Sequence, residues 1–337
     1  VTALLLLGGL ALLITGGELL VRGSVRTAER FGVSPLLIGL TLVGFGTSTP
    51  ELVTSVQAAL IGSPGIAVGN IVGSNIANIL LILGVSALIF PLAVHNGALK
   101  RDGGAVIGTA LLLTAMGFSA GLSRPVGIVF LLLLVAYMTY AYRAERLAEA
   151  PLAGGTGGEH TAAFERAEAM IEADPGLRPQ AGDGGGGVLL SIALALLGLV
   201  MIILGGRFLV DGAVTLARVA GLTETVIGLT IVAVGTSMPE LVTSVIAALR
   251  RHSDVALGNI LGSNIYNVLG IGGVTALLAP TAIPEPIASF DNLVMVAVSL
   301  LLVVFALTGR RIDRIEGAIF LALYAGYTAW LIGRAPA

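Results

Sequence analysis

Apolar residues run along this chain in blocks of roughly 20, the length that carries an α-helix across a bilayer. Ten such blocks fall near residues 2–21, 33–60, 65–92, 104–121, 125–142, 187–208, 221–249, 254–279, 288–308 and 315–333. Short polar connections separate them. The pattern predicts an all-α polytopic membrane protein with ten transmembrane helices. Between the fifth and sixth blocks the character changes to "RAERLAEAPLAGGTGGEHTAAFERAEAMIEADPGLRPQAGDGGGG". That segment is too polar for a bilayer and Gly-rich at both ends. It predicts a flexible linker, with a short surface helix from about Ala162 to Ala173.

Composition narrows the class. Of 337 residues, 56% are hydrophobic and 11% charged, with mean hydropathy +0.99. A soluble domain needs more polar surface than that. Cysteine is absent, which excludes disulfides, thiol chemistry and thiolate metal sites. The three histidines, His95, His160 and His252, all lie outside the middle of a block, which argues against a soft-metal transporter or zinc enzyme. The net charge of −2 indicates no particular partner.

The placement of basic residues sets the orientation. With the N-terminus outside, inside connections hold Arg22, Arg26, Arg30, Lys100, Arg101, Arg143, Arg146, Arg166, Arg178, Arg250, Arg251, Arg310, Arg311 and Arg314. Outside segments hold only Arg124, Arg207, Arg218 and Arg334. The positive-inside rule then puts both termini outside and the linker in the cytoplasm, with the cell (inner) membrane as the expected location.

A repeat underlies the pattern. Sliding the sequence by 189 residues places Gly32 on Gly221, Glu51 on Glu240 and Ser74 on Ser263, with 32 of the 54 positions from Gly32 to Val85 identical. Each half carries five predicted spans, an odd number, so the halves enter the membrane from opposite sides. The predicted organisation is a first repeat over 1–142, a linker over 143–186 and a second, inverted repeat over 187–337. Inverted repeats are a plan of secondary transporters, whose site lies where the repeats meet near the midplane.

The chemistry sits in two duplicated motifs. "GTSTPELVTS" (Gly46–Ser55) returns as "GTSMPELVTS" (Gly235–Ser244). Among 20 Asp and Glu residues, Glu51 and Glu240 are the ones placed deep within predicted spans, with no Lys, Arg or His at comparable depth. Such acids usually face a cavity or bind an ion. Thr47 and Ser48 lie four and three residues before Glu51, so the three share one helix face. Pro50 removes an N–H and strains that turn, which frees carbonyls as ligands where the broken helix lines a cavity. Thr236, Ser237 and Pro239 repeat the arrangement around Glu240.

The second motif is "GNIVGSNIAN" (Gly69–Asn78), repeated as "GNILGSNIYN" (Gly258–Asn267). Gly69 and Gly73 form a small-xxx-small pair suited to close helix approach. Ser74 with Asn78, and Ser263 with Asn267, present oxygens four residues apart on one face. Asn70, Asn75, Asn259 and Asn264 are expected to make hydrogen bonds that hold the helices together. No G-x-x-x-x-G-K motif accompanies these glycines, so a phosphate loop is rejected. The collected donors are hard oxygens, which suit Ca²⁺ and Na⁺.

These four motifs resemble the two alpha repeats of the sodium/calcium exchanger family of prokaryotic type, within the cation/calcium exchanger superfamily. The resemblance covers nearly the whole chain. It implies a compact core of the second, third, seventh and eighth helices, across which the first and sixth slide in alternating access. It implies Ca²⁺ bound by Glu51 and Glu240 with the Thr47 and Thr236 carbonyls. Na⁺ sites would add Ser48, Ser237, Ser74, Ser263, the Thr47 hydroxyl, and the Gly44 and Ala233 carbonyls. Asn78 and Asn267 would line the central position. Several family members carry Asp where this chain has Asn267, which argues here against K⁺ co-transport.

The functional expectation is a secondary antiporter exchanging Na⁺ for Ca²⁺, electrogenic and K⁺-independent. The alternative is a Ca²⁺/H⁺ antiporter of the same superfamily. No Ser/His, paired-Asp or H-E-x-x-H arrangement points to an enzyme. The expected partners are Ca²⁺, Na⁺ and the lipid bilayer, with no cofactor, nucleic acid or obligate protein partner.

Overall fold

The computed structural model describes residues 2–31, 33–94, 99–119, 121–149, 186–219 and 233–334, nearly all of them helical. In chain order the helices are α1 (Thr2–Phe31), α2 (Leu36–Thr47), α3 (Thr49–Leu60) and α4 (Pro64–Ile89). Then follow α5 (Gly104–Gly117), α6 (Arg124–Glu149), α7 (Gly186–Val219), α8 (Ala233–Thr236) and α9 (Met238–Leu249). The last are α10 (Ser253–Leu278), α11 (Ile287–Gly309) and α12 (Arg314–Arg334). Six of these are long and apolar enough to cross a membrane, or seven if the bent pair α2–α3 is one span.

Helix is found in every one of the ten apolar blocks. Residues 221–232 of the seventh block lie outside the described residues, as do linker residues 150–185 with their predicted surface helix.

Several boundaries differ from expectation: α6 and α7 run past their blocks to Glu149 and Val219, and two further differences have a clear physical reason. α1 continues ten residues past its apolar block, because its last turns are amphipathic. Gly23, Ser24, Thr27 and Ala28 are buried on one side, while Arg22, Arg26 and Arg30 are exposed on the other. The fourth block gains a π-helical turn, Leu99–Gly103, which draws Asp102 inside. Asp102 is fully buried, pairs with Arg101 and accepts a 2.9 Å hydrogen bond from Tyr137. It is a buried acid that the sequence places in a connection.

α4 and α10 form the centre, buried along most of their length, whereas α1, α6, α7 and α11 carry exposed leucines and valines suited to lipid. α1 and α7 pack backbone to backbone. A Cβ on Gly16 would lie 2.8 Å from the Gly198 carbonyl oxygen, and one on Gly9 would lie 2.8 Å from that of Gly205. Only glycine permits that approach. The 189-residue register exchanges these contacts, carrying Gly9 onto Gly198 and Gly16 onto Gly205. Reciprocity recurs in the connections. Strand β1 (Leu92–Ala93) pairs antiparallel with β2 (Arg311–Ile312), and Leu122 bridges to Thr281, the register equivalent of Leu92.

The second Gly-xxx-Gly pair contacts a helix backbone, with a Cβ on Gly258 placed 2.5 Å from the Leu36 carbonyl and one on Gly262 placed 2.4 Å from that of Leu40. Gly69 and Gly73 meet nothing closer than the Ile287 side chain at 3.7 Å among the described residues. Their equivalent partners, residues 225–229, lie outside that set.

Candidate ion-binding site

The acid-bearing motifs fold as broken helices. α2 and α3 meet at Ser48 with a 44° bend, and Ser48 leaves helical geometry at φ −81°, ψ 9°. Pro50 occupies the first turn of α3, where its missing N–H deprives no ladder bond. Ser237 repeats this geometry between α8 and α9 at φ −90°, ψ 10°, with Pro239 in the first turn of α9. Each break puts its glutamate in the first turn of a helix, where the helix dipole favours negative charge.

The two halves interlock through these glutamates, each of which is only 1% exposed. The Ser48 hydroxyl donates to Glu240 Oε1 at 2.8 Å, and the Ser237 hydroxyl donates to Glu51 Oε1 at 3.3 Å. Among the described residues no Lys, Arg or His pairs with either acid. The second carboxylate oxygens, Glu51 Oε2 and Glu240 Oε2, are buried without a hydrogen-bond partner.

Asparagines brace the arrangement. Asn70 donates to the Glu51 carbonyl at 3.0 Å and to Ser55 at 2.8 Å, while Asn259 donates to the Glu240 carbonyl at 3.2 Å and to Ser244 at 2.9 Å. Thr47 crosses between the halves, its hydroxyl donating to Asn259 Oδ1 at 3.1 Å. Deeper in the core, Asn267 Nδ2 donates to Asn75 Oδ1 at 3.1 Å, and Asn78 Nδ2 donates to Asn264 Oδ1 at 3.0 Å. Asn78 Oδ1 and Asn267 Oδ1 are then buried and unpartnered, like the two carboxylate oxygens. Four buried acceptors without donors, two of them carboxylate oxygens, fit a cation better than any apolar or anionic species.

The structure therefore brings Glu51, Glu240, Thr47, Ser48 and Ser237 together directly, with Asn78 and Asn267 in an amide cluster on α4 and α10. Ser263 donates to the Gly44 carbonyl at 3.1 Å, so Gly44 already serves a hydroxyl as well as the Ser48 N–H. Ser74 is buried on α4 at the equivalent place. Thr236 ends α8 next to the break, and Ala233 begins α8 as the first described residue of its span. The sequence reading left Ser55 and Ser244 without a role. Both close the quoted motifs four residues after a glutamate, which is the spacing that stacks them beneath it.

The family model for sodium/calcium exchanger proteins matches residues 1–143 and 190–333. The sodium/calcium exchanger MaX1 of Methanosarcina acetivorans is 36% identical over 340 residues, covering 97% of each chain. The inner membrane protein YrbG of Escherichia coli K12 is 34% identical over 333 residues, covering 98% of this chain and 95% of its own. A structure of the sodium-calcium exchanger NCX_Mj soaked with Na⁺ and Sr²⁺ superposes with TM-score 0.79 at 32% identity, covering 97% of both chains. With the family model and full-length relatives in agreement, the chain belongs to the sodium/calcium exchanger family, whose members are membrane transporters and not enzymes.

Proposed function

We propose that this protein exchanges Na⁺ for Ca²⁺ across the membrane by alternating access, electrogenically and without K⁺. The observation that carries the reading is the set of four buried, unpartnered oxygens, from Glu51, Glu240, Asn78 and Asn267. Two carboxylates match one Ca²⁺ in charge, with the Thr47 and Thr236 carbonyls beside them, and the Thr47, Ser48, Ser237, Ser74 and Ser263 hydroxyls, with the Gly44 and Ala233 carbonyls, suit Na⁺. The neutral amide at Asn267 supplies no third charge for K⁺.

In this reading ten helices cross the membrane as two inverted halves, 1–142 and 187–337, joined by a cytoplasmic linker over 143–186. Reciprocal contacts at Gly9/Gly205 and Gly16/Gly198 support a two-fold relation between the halves. The basic residues of the inside connections support outside termini. A relative described as an inner membrane protein supports that location. The test is Na⁺-gradient-driven ⁴⁵Ca²⁺ uptake into proteoliposomes, with and without a proton uncoupler. Uptake that follows the Na⁺ gradient and ignores the uncoupler is expected. Uptake driven by a proton gradient alone would establish the Ca²⁺/H⁺ alternative.

A further inference from the structure

A carboxylate offers oxygen to a cation whichever way it is turned. A primary amide does not, because one of its ends is an NH₂ that repels positive charge. An asparagine can serve as a cation ligand only if something else holds its NH₂ away from the ion. Asn78 and Asn267 face this requirement, and the structure shows what meets it.

Each NH₂ is taken up by an asparagine of the opposite half: Asn267 Nδ2 by Asn75 Oδ1 at 3.1 Å, and Asn78 Nδ2 by Asn264 Oδ1 at 3.0 Å. Asn75 is itself fixed, since its own NH₂ donates to the Asn264 carbonyl at 3.3 Å and approaches Met295 Sδ at 3.5 Å. With that end engaged, its Oδ1 turns to Asn267. All four asparagines are at most 3% exposed, so bulk water does not compete for these bonds.

We propose that Asn75 and Asn264 are positioning residues. They orient the amides of Asn267 and Asn78 so that Oδ1 of each is presented to the transported cation. The proposal rests on the exchanger reading above, and it assigns to neither Asn75 nor Asn264 a contact with the ion. Its physical content is that a neutral amide at residue 267 needs an orienting neighbour, whereas a carboxylate there does not.

That difference supplies the test, a double-mutant cycle of Asn75→Ala with Asn267→Asp. Ca²⁺ affinity is read from the Ca²⁺-dependent rise in melting temperature of purified protein, and KM and kcat from ⁴⁵Ca²⁺ uptake. Asn75→Ala alone is expected to weaken Ca²⁺ binding about 10-fold through KM, with kcat within about two-fold. In the Asn267→Asp background the same substitution is expected to change affinity less than about two-fold, because Asp has no NH₂ to hold. An equal loss in both backgrounds, or no loss in either, overturns the positioning role. Should Asn75→Ala not yield folded protein, Asn264→Ala with Asn78→Asp runs the same cycle through the other clamp. The functional reading fails separately. Wild-type protein that is stabilised by Ca²⁺ but does not exchange it for Na⁺ overturns that reading alone, and the binding cycle still decides the role of Asn75. Wild-type protein stabilised by neither Ca²⁺ nor Na⁺ overturns both.

Discussion

A carboxylate held 1% exposed among apolar helices must be neutralised by a proton or a cation. Among the described residues Glu51 and Glu240 are helped by Ser and Thr hydroxyls and helix N-termini but by no positive side chain, so in the proposed reading the ion completes the site. Glu51→Gln or Glu240→Gln is expected to weaken Ca²⁺ binding about 100-fold or more, on the order of 3 kcal/mol, as when one partner of a buried ionic site is removed. The variants should still fold, since Gln keeps the shape and can accept from Ser237 or Ser48. Ca²⁺ titration by melting temperature checks both statements. Protons are the competing ligand for the same oxygens. Uptake should therefore fall on acidification and recover as Ca²⁺ is raised. Acid inhibition that no Ca²⁺ concentration relieves would place the proton elsewhere. At this scale the glutamates, Thr47, Ser48 and Ser237 were legible because a repeated motif in apolar surroundings marks them twice. That Asn75 and Asn264 hydrogen-bond between helices was legible too, but their particular partners were not. Asn267 and Asn75 are 192 residues apart, and which end of an amide faces which neighbour depends on how α4 and α10 cross. Spacing along one helix carries no trace of that.

Elements were legible where a single physical rule decides them. Pro50 and Pro239 announced the breaks, and the breaks occur one residue before Thr49 and Met238 begin their helices. Helix ends were less so. The extension of α1 to Phe31 follows from an amphipathic face carrying three arginines, which a search for apolar blocks passes over. The turn that buries Asp102 is π-helical, a geometry without a sequence signature. The close packing of α1 on α7 yields its own prediction. A side chain at Gly16 or Gly198 would press on backbone carbonyls, at 2.8 and 2.5 Å from a Cβ, which no rotamer change relieves. Gly16→Leu and Gly198→Leu are expected to lower stability by about 1–3 kcal/mol or more, as overpacking does. Gly8→Ala, with nothing within 4 Å of its Cβ position, should leave the melting temperature unchanged or slightly raised. Thermal unfolding in detergent separates the cases. Equal behaviour of Gly8→Ala and Gly198→Leu would refute the contact.

For the whole molecule, the charge held at the site decides how transport responds to voltage. Glu51 and Glu240 supply two negative charges, which one Ca²⁺ neutralises. The family resemblance implies three Na⁺ against one Ca²⁺, so the Na⁺-loaded site carries one extra positive charge. Asn78 and Asn267 are neutral and cannot offset it. Among the described residues the one other fully buried acid, Asp102, is already paired with Arg101. Under the proposed three-to-one exchange one net charge would cross per cycle, and 100 mV would contribute about 2.3 kcal/mol to each turnover. That energy changes the attainable Ca²⁺ gradient about fifty-fold, since each 1.4 kcal/mol is worth about a factor of 10. Proteoliposomes clamped with K⁺ and valinomycin are expected to shift both the rate and the equilibrium point of Na⁺-dependent Ca²⁺ flux with the imposed potential. An interior made negative should favour Na⁺ entry and Ca²⁺ exit. The sign follows from three Na⁺ on two carboxylates, because moving that Na⁺-loaded form inward would carry the positive charge down the potential. A flux that ignores the clamp would mean that two Na⁺ replace one Ca²⁺, with the charge on Glu51 and Glu240 balanced at every step.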